Sequence, residues 1–358
     1  MANARFPKVS IVILNYNGKS WLEKFLAQVI GHTTYPGSEV IVADNASTDD
    51  SISFLQKKFP QVRLVINASN TGYAGGYNEA LRKIESDYYV LLNSDVEVTK
   101  NWIEHVMDFM LRDELMVACQ PKILSYHTKN QFEYAGAAGG FIDKYGYPFC
   151  RGRLFDTCEL DIGQYNQSGE VFWASGACLF IKADLFHKTG GLDADFFAHM
   201  EEIDLCWRLK DLGYKIGYCA ESTVYHVGGG TLNKSHPQKA YLNFKNNRAL
   251  LHKNLSKEQL KKISFPRNLL DHIAYMKIRL TQDREDASAV KNALNDYKKE
   301  IVMLDQKRKM IEQLQVSLSI APPNHTGIFN GSIVWNYFIR KVRSFSELPV
   351  FKFSNPPL

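Results

Sequence analysis

The stretch YYVLLNSDVEV, residues 88–98, decides how the chain is read. An apolar run of strand character stops at Asn93-Ser94-Asp95. Two side chains of metal-ligand or turn-forming type stand two residues apart there. A polar turn after a buried strand explains this, because Asx side chains cap turns. Taken alone this reading is the better one, and the other is a strand that delivers Asp95 to a chemical site. The surroundings weigh between the two. VSIVILNYN (9–17), EVIVADN (39–45) and VRLVIN (62–67) are three more strand-like runs with polar ends. Helical patterns separate them, so a mostly parallel α/β sheet covered by helices is expected. Ligands bind such sheets at the carboxyl ends of the strands. The endings Asn15-Tyr16-Asn17, Asp44-Asn45, Asn67 and Asn93-Ser94-Asp95 all fall on that edge, and four together favour a site.

Between the strands, Ser20-x-x-Glu23 has the form of a capping box. Trp21, Leu22, Phe25, Leu26, Val29 and Ile30 then mark one helical face. The glycine-rich NTGYAGGYN (70–78) reads as a loop leading into a helix over 78–85. It lacks the G-x-G-x-x-G of dinucleotide sites and there is no Walker A sequence. Its glycines allow a backbone to approach a phosphate or a base, or simply make a left-handed turn. Residues 125–170 show little periodicity and read as loops with short strands. A strand is expected over 171–181, a helix over 200–213 and another strand over 215–227. From about 236 the chain becomes helical and basic. Val290, Leu294, Tyr297, Ile301, Leu304 and Ile311 step as one stripe interrupted by Arg308, which suits a helical hairpin or a homodimer contact.

Two further features carry chemistry. Glu201, Glu202 and Asp204 crowd one helix start. Acids are ordinary there, because carboxylates favour helix N-termini. Crowding also raises carboxyl pKa values, which suits a general base. His226 precedes Gly228-Gly229-Gly230 and is either a structural histidine or a divalent-metal ligand.

Composition bounds the partners. Apolar residues make up 45% and charged residues 23% of the 358, ordinary for a globular protein. No run approaches the ~18–20 apolar residues of a membrane span. The N-terminus has no secretory pattern, and six scattered cysteines suggest reduced thiols. A cytoplasmic protein is the expectation. The net charge of +5 hides an asymmetry: residues 1–233 hold 21 basic and 28 acidic side chains, and residues 234–358 hold 22 and 10. A basic tail seeks an anion. No nucleic-acid motif accompanies it, so an anionic membrane surface is the expected partner. SIVWNYFIRKVRSF (332–345) has the composition of an interfacial helix or of a packed terminal helix.

In order, VSIVILNYNG, EVIVADNASTDDS, NTGYAGGYNEAL, YYVLLNSDVEV, WASGACLFIK, GGLDADFFAHMEEIDLCWRL and VYHVGGG resemble the family 2 glycosyltransferases of the GT-A fold, particularly the rhamnosyltransferase-like branch. The resemblance covers about residues 8–232. It implies a catalytic domain over 1–235 and a basic, mainly helical region over 236–358 for membrane-surface, acceptor or oligomer contacts. It places Asn15, Asn17, Asp44, Asn45, Gly75, Gly76 and Asn78 around the nucleotide sugar. Asn93-Ser94-Asp95 stands where the family carries its DxD-type motif, with Asn93 in place of the first acid. Asp95 would ligate a divalent cation, Mg2+ or Mn2+, with His226 as a further ligand. Glu202 would be the base, with Glu201 and Asp204 as alternatives.

The activity implied is inverting, metal-dependent transfer of a hexose from a nucleotide sugar, dTDP-rhamnose above UDP- or GDP-sugars. The acceptor would be a hydroxyl of a glycan or of a polyprenyl-diphosphate-linked glycan. The absence of Q-x-x-R-W points away from processive synthesis. A sugar-nucleotide-binding protein without activity and a nucleotidyltransferase are the rival readings.

Overall fold

Four strands lie parallel, three of them largely buried and apolar and β3 at the sheet edge with Arg63 and Ile66 exposed. β1 (Val9–Asn15) pairs in register with β2 (Ser38–Asp44) on one side, and β2 pairs with β3 (Arg63–Ile66). On its other side β1 pairs with β4 (Tyr88–Asn93), so Asn15, Asp44 and Asn93 end on one edge. The description comes from a computed structural model and covers residues 6–228, 237–281 and 284–355. The 235/236 boundary and Gly229-Gly230 lie outside the described residues.

The connecting helices are α1 (Lys19–His32), α2 (Ser51–Lys58) and α3 (Gly72–Leu81). After the short β5 (Val96–Val98) and α4 (Trp102–Leu111), β6 (Met116–Ser125) rejoins the sheet. A second, five-stranded sheet takes β7 (Gly140–Asp143), β8 (Pro148–Cys150), β9 (Arg153–Leu154) and β10 (Thr157–Cys158). The chain returns to the first sheet through β11 (Gly169–Val171) and β12 (Cys178–Lys182), then forms α5 (Ala183–Lys188), α6 (Glu201–Asp211) and β13 (Lys215–His226). The first sheet has the order β11-β13-β6-β12-β4-β1-β2-β3, with β5 beside β13. β12 runs antiparallel to both β4 and β6.

Alternation along each strand splits the core into two layers. Val9, Ile11 and Ile13 of β1 join Leu22, Leu55 and Trp102 from α1, α2 and α4. Val12 faces the other way, onto Tyr77 of α3, Phe186 of α5 and Ile203 of α6. Each buried aliphatic or aromatic side chain contributes ~1.5–3 kcal/mol, so these two layers fix the strand ends that carry the polar residues.

The C-terminal region begins with α7 (Pro237–Asn254) and α8 (Lys257–Thr281). It continues through α9 (Arg284–Lys299), α10 (Ile301–Leu318) and β14 (Ile328–Phe329), which adds to β7. The stripe read as a helical hairpin or a dimer contact is in part turned inward, while its Ile301 stays exposed. Val290 and Leu304 are fully buried, and the Tyr297 hydroxyl meets His252 Nδ1 of α7 at 3.0 Å. Arg308, the break in the pattern, donates from Nε to the His252 carbonyl at 2.8 Å.

Other local expectations change. α1 starts at Lys19 after Gly18 and has no side-chain cap, so Ser20 and Glu23 form no capping box. The glycine-rich stretch is itself helical from Gly72 onward. Residues 171–181 are two strands separated by a loop. Residues 332–345 form no long helix, only a short π-helical turn at Trp335–Ile339. Ile333 and Phe345 are buried, and Phe345 stacks on Phe141 at 4.8 Å and Phe353 at 5.3 Å. Replacing Phe345 by Ala should lower the urea unfolding free energy by ~3–5 kcal/mol. A loss below ~1 kcal/mol would show the terminal segment to be detached from the core.

Candidate active site

The polar strand ends form one connected net. Asp44, fully buried, accepts from Asn15 Nδ2 at 2.9 Å and from the Ser47 amide at 2.8 Å. Asn15 also donates to Ser47 Oγ at 3.1 Å, while its own Oδ1 is buried without a partner. Asn17, held at φ 51°, accepts from the Thr48 and Asp49 amides and so shapes the turn into α2. Asn45 donates to Asn70 and to the Gly72 carbonyl and accepts from Asn67, so its amide is used within the protein. A Cβ on Gly76 would come within 2.8 Å of Asn45, and one on Gly75 within 2.6 Å of Thr71 Oγ1. Both glycines therefore permit close packing of α3. Asn78 uses both ends of its amide on the Leu192 backbone, at 2.6 and 3.0 Å. Asn17, Asn45 and Asn78, grouped with the nucleotide in the sequence reading, are struts of the pocket wall in this arrangement.

At the end of β4 the net meets a charged pair. His226 Nε2 lies 3.1 Å from Asp95 Oδ1 and 3.4 Å from the Asn93 amide nitrogen. Its Nδ1 lies 3.1 Å from Glu133 Oε2, an ion-pair distance without the alignment of a hydrogen bond. Burial opposes protonation of His226, but the carboxylates of Glu133 and Asp95 outweigh it and push its pKa up to about 10. For Asp95, burial pushes the carboxyl up, and the His226 charge and hydrogen bond more than reverse it, leaving it lowered. Ser94 sits half-buried between them in sequence. Glu133 was not foreseen, because nothing in the aperiodic stretch 125–170 marks it. Among the described residues no group of three His, Cys, Asp or Glu is arranged to hold a metal ion. The donor types of Asp95 and His226, carboxylate oxygen and, once the imidazolium has given up its proton, imidazole nitrogen, nevertheless suit a small divalent cation completed by phosphate oxygens.

The three acids of α6 separate. Asp204 accepts from Arg208 Nε at 2.9 Å, Lys253 Nζ at 3.0 Å and Asn254 Nδ2 at 2.8 Å. That corrects its candidacy as the base: it is fully buried, its oxygens are bonded, and its carboxyl is held low, the cations Lys253 and Arg208 outweighing a large burial cost. Glu201 and Glu202 each have a buried Oε2 with no partner. Burial, then Glu202 and Asp204, push Glu201 well up. Burial pushes Glu202 up to about 7, against backbone hydrogen bonds that lower it. Glu202 is half-buried and Glu201 is buried.

One loop joins these two centres. The Ala177 carbonyl accepts from the Asn93 amide at 3.0 Å, and the Gly176 carbonyl accepts from the Tyr73 hydroxyl at 2.6 Å. Gly176 also contributes a backbone hydrogen bond felt by Glu202. The entrance to α6 is unusual. Phe197, His199 and Met200 all have positive φ, at 60°, 70° and 77°. Asn246 of α7 holds them, its amide nitrogen donating to the carbonyls of Phe196, Ala198 and His199 at 2.8–2.9 Å. The Phe197 carbonyl in turn accepts from the Tyr73 and Ala74 amides at the start of α3. Gly72 is required there, since its Cβ would come within 2.5 Å of the Phe197 ring. That end of α3 is therefore closed by protein and is not the phosphate cradle its glycines suggested.

This architecture is that of the GT-A glycosyltransferases. It superposes on a solved structure of GalNAc-T7 with UDP, GalNAc and Mn2+ at a TM-score of 0.55 and 16% identity, over 90% of this chain and 60% of that one. The sequence then narrows the class. Residues 10–170 match the model of Glycosyl transferase family 2. Over 232 residues the chain is 28% identical to the N-acetylglucosaminyl-diphospho-decaprenol L-rhamnosyltransferase of Mycobacterium tuberculosis, covering 60% of this chain and 75% of the relative. It is 26% identical over 227 residues to the O-antigen chain rhamnosyltransferase WbaN of Salmonella anatum, 62% of this chain and 66% of the relative. The glycosyltransferase likeness is thus carried by residues 10–170, which match the family 2 model, and the chain as a whole is similar to rhamnosyltransferases.

Asn246→Asp keeps the side-chain shape but removes the donors that hold the left-handed turn. It should cost ~1–3 kcal/mol of stability in chemical denaturation and lower turnover more than nucleotide affinity. Equal loss of both would show that Asn246 does not position the acids of α6.

Proposed function

We propose that the enzyme transfers one sugar from a nucleotide-sugar donor to a hydroxyl of a glycan or polyprenyl-diphosphate-linked glycan, with inversion. The observation that carries this is the division of labour in α6. Asp204 is neutralised by the protein, while Glu202, with an unpartnered oxygen and a pKa of about 7, faces the Gly176 loop that leads to Asn93. In this reading the Glu202 carboxylate takes the proton from the acceptor hydroxyl. The hydroxyl oxygen bonds to the anomeric carbon as the bond to the nucleoside diphosphate breaks. Glu201 is more deeply buried, its carboxyl is pushed well up by burial and then by Glu202, and it is the weaker candidate.

Asp95 and His226 would hold a divalent cation, Mg2+ or Mn2+, which when bound neutralises the charge of the leaving diphosphate. Asn15, Asp44 and Asn93 face the same strand edge and would contact the donor. dTDP-rhamnose is the favoured donor, in line with the relatives' names, and UDP- and GDP-sugars complete the test panel. Residues 1–235 form the catalytic domain in this reading. Residues 236–358 support it and meet the acceptor side, with the enzyme at the cytoplasmic face of an anionic membrane. No helix among the described residues is long and apolar enough to cross a membrane.

Asp95→Ala should abolish the Mn2+-dependent part of nucleoside diphosphate binding in calorimetry, and an unchanged isotherm would contradict the assignment. Glu202→Gln should keep that binding and lose ~10²–10⁴-fold in transfer. Transfer should rise with pH through about 7 in the wild type, because the base acts only when ionised, and this limb should vanish in Glu202→Gln. If Glu201→Gln removes the limb and Glu202→Gln does not, the base is Glu201.

A further inference from the structure

Helix α8 is fixed to the protein along one side only. Arg267 and Asp271, both buried, pair at 3.1 Å. Asp271 also accepts from Arg248 of α7 at 2.6 Å and from the Tyr147 hydroxyl at 2.9 Å, and Arg267 stacks on the Tyr147 ring at 3.7 Å. The opposite side carries Phe265, Leu269, Ile273, Met276 and Leu280, spaced by three and four residues as one helical stripe. All five are exposed, Phe265 and Leu280 at 78%. An apolar stripe this open on a helix ordinarily faces a partner.

The charges beside the stripe say which partner. Lys261, Lys262, Lys277 and Arg279 are exposed and join no ion pair among the described residues. Glu258 is the exposed acid of the helix, since Asp271 is buried and paired. Lys277 lies over the Phe338 ring at 4.5 Å, which brings the turn at Trp335–Ile339 alongside the helix. Trp335 and Ile339 there are each 58% exposed, and Arg340 and Lys341 follow them exposed. Apolar stripe, adjacent tryptophan and unpaired cations together match the interface of an anionic bilayer. A second copy would have to bury these four cations against each other, with Glu258 the exposed acid that α8 offers them among the described residues.

We propose that α8, with the Trp335–Ile339 turn, is the surface by which the enzyme lies on an anionic membrane, the stripe entering the headgroup region and the cations pairing with lipid phosphates. This names the face for the membrane partner proposed above, and it stands whether or not the transferase chemistry is correct. The test is sedimentation of the full chain with phosphatidylcholine vesicles, with and without ~30% phosphatidylglycerol, beside light scattering of the protein alone. Expected is binding to the anionic vesicles that weakens with salt. Leu269→Glu/Ile273→Glu should weaken it at least ~10-fold, and Lys261→Gln/Lys262→Gln ~30-fold, ~1 kcal/mol being the contribution of each basic side chain near such a surface. Both variants should keep the circular dichroism and the nucleoside diphosphate release of the wild type. Absence of binding to anionic vesicles overturns the proposal. So does binding that neither variant alters, or a dimer in light scattering that Leu269→Glu/Ile273→Glu dissociates.

Discussion

Asp204 is a carboxylate with no solvent, and the arrangement of the site follows from how its charge is answered. Burying such an ion costs several kcal/mol unless partners replace the water. Arg208 from its own helix and Lys253 and Asn254 from α7 do so together. Lys253 also pairs with Asp193, and Lys307 of α10 pairs with Asp193 and Asp195. The loop that enters α6 is thus clamped by cations from the C-terminal helices. Those helices do more than decorate the catalytic body, because the position of the acids depends on them.

The same clamp explains how one turn of helix holds acids of opposite character. Asp204 receives every cation and is held low; Glu201 and Glu202 receive none and rise with burial. Two environments within one turn push the pKa values apart, which is how acid and base roles are assigned. The strained entrance serves this end. Phe197, His199 and Met200 could not hold positive φ without compensation, and Asn246 and the start of α3 supply it through the carbonyls they bind. His199 is kept neutral there, burial and then Lys239 lowering its pKa to about 4.

The strands and their shared polar edge were legible because alternation of apolar strand and amphipathic helix is a local signal. Asp44, Asp95 and His226 were legible for the same reason: Asp44 and His226 end strands, and Asp95 stands in the turn directly after one. What could not be read depends on long-range contact. Glu133 reaches His226 across 93 positions from a segment without periodicity. Asn45 and Asn78 look like ligands in sequence, and only the fold shows their amides spent on Gly72 and Leu192. Asp204 looked equivalent to its neighbours until α7 was seen to supply its partners. The glycines 72, 75 and 76 signalled close approach correctly but not what approaches. It is Phe197, Thr71 and Asn45.

The charge of the tail needs the same correction. Taken as a sum, its excess of basic residues resembles a uniform attraction for anions. In the fold Lys245, Arg248, Lys253, Arg267, Lys307 and Arg308 face acids and hold helices together. Their charge is largely cancelled within the protein and adds little to the field outside. Of the exposed cations left over among the described residues, Lys261, Lys262, Lys277 and Arg279 stand beside the open apolar stripe of α8, while Lys291, Lys298 and Lys309 lie on α9 and α10. Sequence charge therefore overstated the strength of the tail's attraction and understated its direction. A smaller number of cations on one face can orient the enzyme at a surface, which a larger number spread around the helices could not.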